Sequence, residues 1–315
     1  MFVSCGDALF DLFALPPAKP GTIALEGHVG GSPLNVAVGL ARLGNPTGYL
    51  AKNSTDVFGQ RIAGFLKENG VSTDFLIPST RNSTLAIVGM RPDGSADYGF
   101  YTSETADRSM TKAELPVALP RSVECLHVGS YSTATEPTAS SLLALVRRES
   151  GSRFVSYDPN VRPSIEPDLD LWRHQVDQFS RAAHFIKASE EDLALLYPGK
   201  RPESFAADCI ARGAQLVFIT RGGEGALGFS AKGRSAAAPG IAVEVVDTVG
   251  AGDTFQAAGL HWLSAAGLLS AGRAAEADLD ALLGFAIAAA AVTCSRRGAD
   301  LPRLDEIKTF NPLVS

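Results

Sequence analysis

The sequence predicts an α/β fold: a mostly parallel sheet with helices on both faces, and a small second β-sheet beside it. Two observations carry the expectation. Short β-branched or aromatic runs alternate with longer helical stretches along the chain, and strands apolar on both sides belong to sheets covered on both faces. The alternation then breaks twice, at residues 12–28 and 83–102, where the pattern is that of β structure without an intervening helix.

Taken in order, "FVSCG" (2–6) is the first strand. Ser32–Leu43 is a helix, with Ser32 placed to cap it, Pro33 in its first turn and Gly44 as a left-handed stop. "TGYLA" (47–51) is a strand, followed by a helix over 57–69 that ends at Gly70. "STLAIVGMRPDGSADYGFYT" (83–102) is strand–turn–strand around "RPDG". Four further strands, at 124–129, 153–158, 184–188 and 215–220, are separated by helices at 136–150, 170–181, 189–197 and 202–212. A strand at 241–247 ("IAVEVVD") leads into helices at 252–268 and 276–295. The two β interruptions form either an ornamental hairpin or a lid. The lid is preferred, because both arise beside the motifs described next. With no internal repeat and no low-complexity segment, residues 1–315 are expected to form one domain.

Composition narrows the function. The 315 residues are 45% hydrophobic, enough for a large core, and carry a net charge of −6. That balance, with no Lys/Arg-rich run, argues against nucleic acid and anionic membrane as partners. Cys5, Cys125, Cys209 and Cys294 are scattered without CxxC or histidine spacing, which excludes a zinc or redox motif and fits a reducing compartment. "MFVSCGDALFDLF" lacks the basic start of a signal peptide, and "ALLGFAIAAAAVTC" (281–294) is too short to span a bilayer. A cytoplasmic protein is expected.

The most informative stretch is "DTVGAGDTF" (247–255). It enters an apolar helix, so Gly250, Ala251 and Gly252 stand at a helix N-terminus, where free N–H groups and the dipole favour an anion. Asp253 there is either a helix cap or a base. A carboxylate beside an anion pocket is electrostatically awkward unless it takes a proton from a hydroxyl that attacks a bound phosphate. No GxxxxGK[ST] occurs. "GEGALG" (223–228) satisfies GxGxxG but is followed by turn and strand character, so it is a β-turn region against which a nucleotide can lie, or a plain hairpin. In "GGSPLNVAVGLARLG" (30–44), Gly30 and Gly31 precede a helix whose first turn holds Asn35, an amide suited to a polyol. "YDPNVRP" (157–163) sets Asp158, Asn160 and Arg162 at the carboxyl end of a strand, as a ligand group or a surface ion pair. Asp7 and Asp11 follow the first strand as sugar-hydroxyl acceptors or solvated acids.

Together, "GGSPLNVAVGLARLG" and "DTVGAGDTFQAAGL" resemble the N- and C-terminal signatures of the ribokinase-like, PfkB-type carbohydrate kinase family, and the likeness runs through essentially the whole chain. The resemblance implies a ribokinase-like three-layer fold with a β-sheet lid. It implies Asp253 as catalytic base and the N–H groups of Gly250, Ala251 and Gly252 as the anion hole. It places Asp11, Gly30, Gly31 and Asn35 on the sugar, with Arg162 beside it and the lid residue Phe100 above. Thr220, Arg221, Gly222, Gly223 and Gly225 would flank ATP, with Ala288 near the adenine. The family uses Mg²⁺ with ATP, and many members bind K⁺, here at Asp247 and Val249. The family's metal-associated Asn-x-x-Glu aligns with "SEED", which gives Ser189 and Asp192. Within the family the chain is most similar to bacterial fructokinases, implying D-fructose as substrate. A 2-keto-3-deoxygluconate kinase, whose substrate carboxylate suits Arg162, is the alternative; a non-catalytic sugar or nucleotide sensor and a nicotinamide oxidoreductase are the readings from other classes. Members of the family also suggest a homodimer joined through the lid.

Overall fold

The computed structural model describes residues 1–15, 19, 21–90 and 96–310. In chain order the strands are β1 (Phe2–Cys5), β2 (Leu9–Ala14), β3 (Leu25–Gly30), β4 (Thr47–Ser54), β5 (Val71–Ser72), β6 (Leu76–Ser79), β7 (Thr84–Met90), β8 (Ala96–Tyr101), β9 (Cys125–Gly129), β10 (Phe154–Asp158), β11 (Phe185–Ser189), β12 (Leu216–Thr220), β13 (Ala226–Ser230) and β14 (Ser235–Ala238). The helices are α1 (Ser32–Arg42), α2 (Val57–Glu68), α3 (Thr138–Glu149), α4 (Leu169–Ser180), α5 (Glu190–Leu196), α6 (Pro202–Ala211), α7 (Ala251–Ala265), α8 (Leu279–Cys294) and α9 (Leu304–Phe310).

The large sheet runs β14-β13-β12-β11-β10-β9-β1-β4-β5, with β6 added on β4. It is parallel except where β13 and β14 turn back on β12. Alternation along each strand explains the layers. Val3, Cys5, Leu126, Val155 and Ile186 face α3 to α6. Phe2, Cys125, Phe154, Phe185 and Phe218 face α1, α7 and α8. The four-stranded second sheet has the order β3-β2-β7-β8.

Two expectations are corrected. "IAVEVVD" forms no strand: Val245 and Val246 are 61% and 58% exposed, and the N–H groups of Val246 and Asp247 both donate to Cys294 O at the end of α8. The run turns along a helix end instead of a sheet edge, so its β-branched residues found no partner strand. The small sheet also starts earlier than expected, at Leu9 rather than residue 12. Residues 16–18 and 20, within the first lid piece, and the "RPDG" turn at 91–94 lie outside the described residues.

Candidate active site

The start of α7 is set by Gly250, which caps the helix in the left-handed region (φ 80, ψ −4). A Cβ there would also sit 2.8 Å from Ala299 Cβ, so only glycine fits. Gly252 and Asp253 follow in the first turn. The Ala251 N–H is turned into a 3.2 Å bond to Thr248 O. Those of Gly250 and Gly252 have no partner among the described residues. Two of the three expected anion-hole donors are therefore open.

Asp253 does not cap its helix; no side-chain cap bond is made there. Its carboxylate is buried (7% exposed) and held from α1. Ser32 Oγ donates to Oδ1 at 2.7 Å, and Asn35 Nδ2 donates to Oδ2 at 2.8 Å. Ser32 was expected to cap α1, but the cap is Gly31, whose φ of 117 and close approach to Asp7 O (2.5 Å from a built Cβ) exclude a side chain. The hydroxyl thus freed from capping turns to the Asp253 carboxylate. Sequence reasoning missed this role, since a serine before Pro33 has the pattern of an ordinary N-cap.

Beneath the helix start lies a buried polar layer. The inward positions of the strands turn from apolar to polar toward their carboxyl ends: Phe154, Ser156 and Asp158 on β10, and Phe185 then Lys187 on β11. Lys187 Nζ pairs with Asp158 Oδ2 at 2.7 Å, with both side chains buried. Burial works against the lysine's charge, but Asp158, Asp192 and Asp253 outweigh it and hold Lys187 protonated. Burial likewise pushes the His127 imidazole down to about 3, so it is neutral. In the sequence Lys187 is only part of the strand expected at 184–188; a lysine on an inward strand position among apolar neighbours is the available signal.

Above the site, the second sheet supplies the other wall. Register puts Asp11 opposite both His28 and Ala86, and Ala86 opposite Phe100, so all four stand in one row on one face. The Asp11 carboxylate accepts no hydrogen bond from the described residues. Burial raises its carboxyl to about 6, with His28 and then Arg162 pulling it back. Gly30 leaves room for it, since a Cβ there would lie 2.5 Å from Asp11 Oδ2. A cavity of about 70 Å³ is lined by Asp11, Phe13, His28, Gly30, Asn35, Asp247 and Arg297. A second cavity of about 700 Å³, lined in part by Asp56, Phe58, Phe100 and Arg108, shares no lining residue with the first.

The remaining expected residues divide. Thr220 ends β12 and Arg221 follows it, and Gly222 and Gly223 have open space where a side chain would stand. Gly225 (φ 93) is explained by chain packing alone, because a Cβ would lie 2.0 Å from Ala238 O. Ala288 is fully buried in the α7–α8 core, so it offers no surface to an adenine; half-buried Ala290 and Cys294 lie on the same helix. Asp192 does not fit direct Mg²⁺ ligation. Its Oδ1 accepts from Val161 N–H at 2.8 Å, and its Oδ2 accepts from Ser189 N–H and Oγ at 2.9 and 2.7 Å. It locks the "DPNVRP" loop to α5, with Ser189 as cap. Asp247 accepts from Val249 N–H (3.0 Å) and Gly298 N–H (2.9 Å), tying the loop before the anion hole to the "CSRRG" turn.

Comparison with known proteins agrees with this geometry. Residues 3–306 match the pfkB family carbohydrate kinase domain. A fructokinase of Rhizobium leguminosarum bv. trifolii is 36% identical over 285 residues, covering 90% of this chain and 85% of its own. The crystal structure of a fructokinase with bound ATP from Xylella fastidiosa superposes with a TM-score of 0.89 at 25% identity, covering 99% and 98% of the two chains. That of a Vibrio cholerae fructokinase in its fructose-, ADP- and calcium-bound form gives 0.82 at 27%, covering 98% of each.

Proposed function

The chain belongs to the pfkB family of carbohydrate kinases, with the ribokinase-like fold, and from that premise we propose that its one domain converts D-fructose and ATP to fructose 6-phosphate in the cytoplasm. That it is an ATP-dependent sugar kinase follows from the family and from fructokinase relatives over most of its length. The observation that carries the site is the buried Asp253 carboxylate at the start of α7, aligned by Ser32 and Asn35 beside open N–H groups.

The chemistry follows from these groups. Asp253 accepts the proton of the sugar's hydroxymethyl O–H as that oxygen forms its bond to the γ-phosphorus. The bond from the γ-phosphorus to the bridging oxygen breaks, and ADP leaves with the electron pair. The N–H groups of Gly250 and Gly252 stabilise charge on the transferred phosphoryl oxygens. Asp11 and Asn35 hold sugar hydroxyls, with Phe100 in the same row of the small sheet as Asp11 and Arg162 at the rim. Thr220, Arg221, Gly222 and Gly223 line the nucleotide.

Mg²⁺ would arrive on the ATP phosphates, neutralising their charge, and not on Asp192, whose oxygens are committed to protein donors. A K⁺ ion would sit against the Asp247–Val249 loop, with backbone carbonyls as its main ligands. Pairing of two chains through the lid completes the proposal, with sedimentation as its test.

Arg162, close enough to Asp11 to lower its carboxyl, favours one second reading: a kinase for 2-keto-3-deoxygluconate, whose carboxylate it would meet. An ATP-dependent coupled assay over fructose, ribose, tagatose and 2-keto-3-deoxygluconate separates the two. Fructose should give the highest kcat/KM; preference for the acid sugar would reassign the substrate.

A further inference from the structure

We propose that Lys187 is a positioning residue for phosphoryl transfer: a buried cation that acts through the backbone of Gly252 to offset the negative charge gathered at the start of α7. The inference rests on the kinase reading above and adds a group which that reading does not use. Lys187 stands at the last inward position of β11 before the site, one pleat above Phe185. Its Nζ lies so close under α7 that a Cβ built on Gly252 would be 2.9 Å away, and among the described residues no other atom outside the helix's own backbone and the neighbouring residues comes within 4 Å of that point.

An ion pair that served only the fold needs one partner, and Lys187 has one in Asp158 at 2.7 Å. The surroundings ask for more than that. Asp192 and Asp253 also act on the same ammonium, so one lysine faces three carboxylates. Asp158 Oδ1 has no hydrogen-bond partner among the described residues, so the pair is not a closed, fully satisfied unit. A phosphoryl group docking on the Gly250 and Gly252 N–H groups would bring further negative charge to the place where Asp253 already stands. Among these groups Lys187 is the one positive charge. Inside a low-dielectric site such a fixed charge acts strongly and needs no reorganisation during the reaction. Glycine at 252 also gains a second reason. A side chain there would separate the ammonium from the helix start, whatever it did to a ligand.

The test uses charge-balanced variants. Asp158→Asn keeps the lysine and should keep kcat within about fivefold of wild type. The double variant Asp158→Asn/Lys187→Met removes both charges without stranding one in the core. It should melt near the wild-type temperature, keep its KM for fructose within about threefold, and lose kcat by about 100-fold, the scale of losing one oxyanion donor. If the double variant turns over near the wild-type rate, or Asp158→Asn alone loses as much as the double, Lys187 is a structural partner only. Should the double variant fail to fold, Lys187→Gln, which keeps a donor for Asp158, must show the same loss in kcat; near-normal turnover there overturns the proposal. Wild-type protein in the same assay keeps the two readings apart: its inactivity with every sugar would overturn both, whereas an active wild type beside an equally active double variant would overturn this one alone.

Discussion

Asn35 Nδ2 donates to Asp253 Oδ2 at 2.8 Å, joining the first turn of α1 to the first turn of α7 across 218 residues of sequence. With Ser32 on the other oxygen, the base has a fixed orientation before any substrate is present. In the proposed mechanism the helix that offers Asn35 to the sugar is thereby the same helix that aims the Asp253 carboxylate.

Ser32→Ala should therefore lower kcat about tenfold, equivalent to about 1.4 kcal/mol, because a hydrogen bond to a charged group is lost at a buried site. KM for fructose should change little, since Asn35 and Asp11 remain. Ser32→Thr, which keeps the hydroxyl, should recover most of the rate. Steady-state kinetics of the two variants check this; equal loss in both would mean that packing matters and the hydroxyl does not.

Asp11 gives a pH prediction with two opposite signs. Its folded-state pKa of about 6 lies above the ordinary 3.8, so the folded protein binds its proton more tightly than the unfolded chain. Its contribution to stability is full below about pH 4 and is lost as pH rises to 6. Sugar binding should run the other way, because in the proposed site the carboxylate is the hydroxyl acceptor. KM for fructose should rise as pH falls through 6. Asp11→Asn should be more thermally stable than wild type at pH 7, yet bind fructose weakly and without that pH dependence. A wild-type-like KM in this variant would remove Asp11 from the sugar site.

Gly252→Val should leave the protein folded, because the nearest atom to the new side chain is the end of the Lys187 side chain and not backbone. It should nonetheless lose at least about 100-fold in kcat, by crowding the phosphoryl site. Circular dichroism and turnover measured on one preparation decide it. Normal turnover would be incompatible with an anion hole at this position.

A lid role for the small sheet requires that it close over the sugar and exclude the water that competes for the phosphoryl group. Amide hydrogen exchange across 25–30, 84–90 and 96–101 should slow when fructose is added without nucleotide. Unchanged exchange in all three strands would leave the sheet as a fixed wall.

What was legible in the sequence follows from which residues are governed locally. The parallel strands and α1 through α8 could be placed because their apolar periodicity is dictated by burial on both faces of one sheet. Asp253 and the glycines could be placed because a helix N-terminus is a local feature. Ser32, Asp192 and Lys187 could not be assigned correctly, since each is defined by a partner on a distant element: Asp253, Val161 and Asp158. Ala288 was misplaced because helix content alone does not say which face of α8 meets the core, when alanine lines it nearly all round. "IAVEVVD" has strand composition with no strand to pair with, and composition carries no information about neighbours.

The central claim is that Asp253 takes the proton from the sugar hydroxyl, and Asp253→Asn tests it most directly. The amide keeps the size of the carboxylate but cannot accept the proton. The account predicts a kcat loss of about 10²–10⁴-fold, with fructose and ATP still binding within severalfold of wild type by calorimetry. An Asp253→Asn enzyme that retains most of its kcat would contradict it.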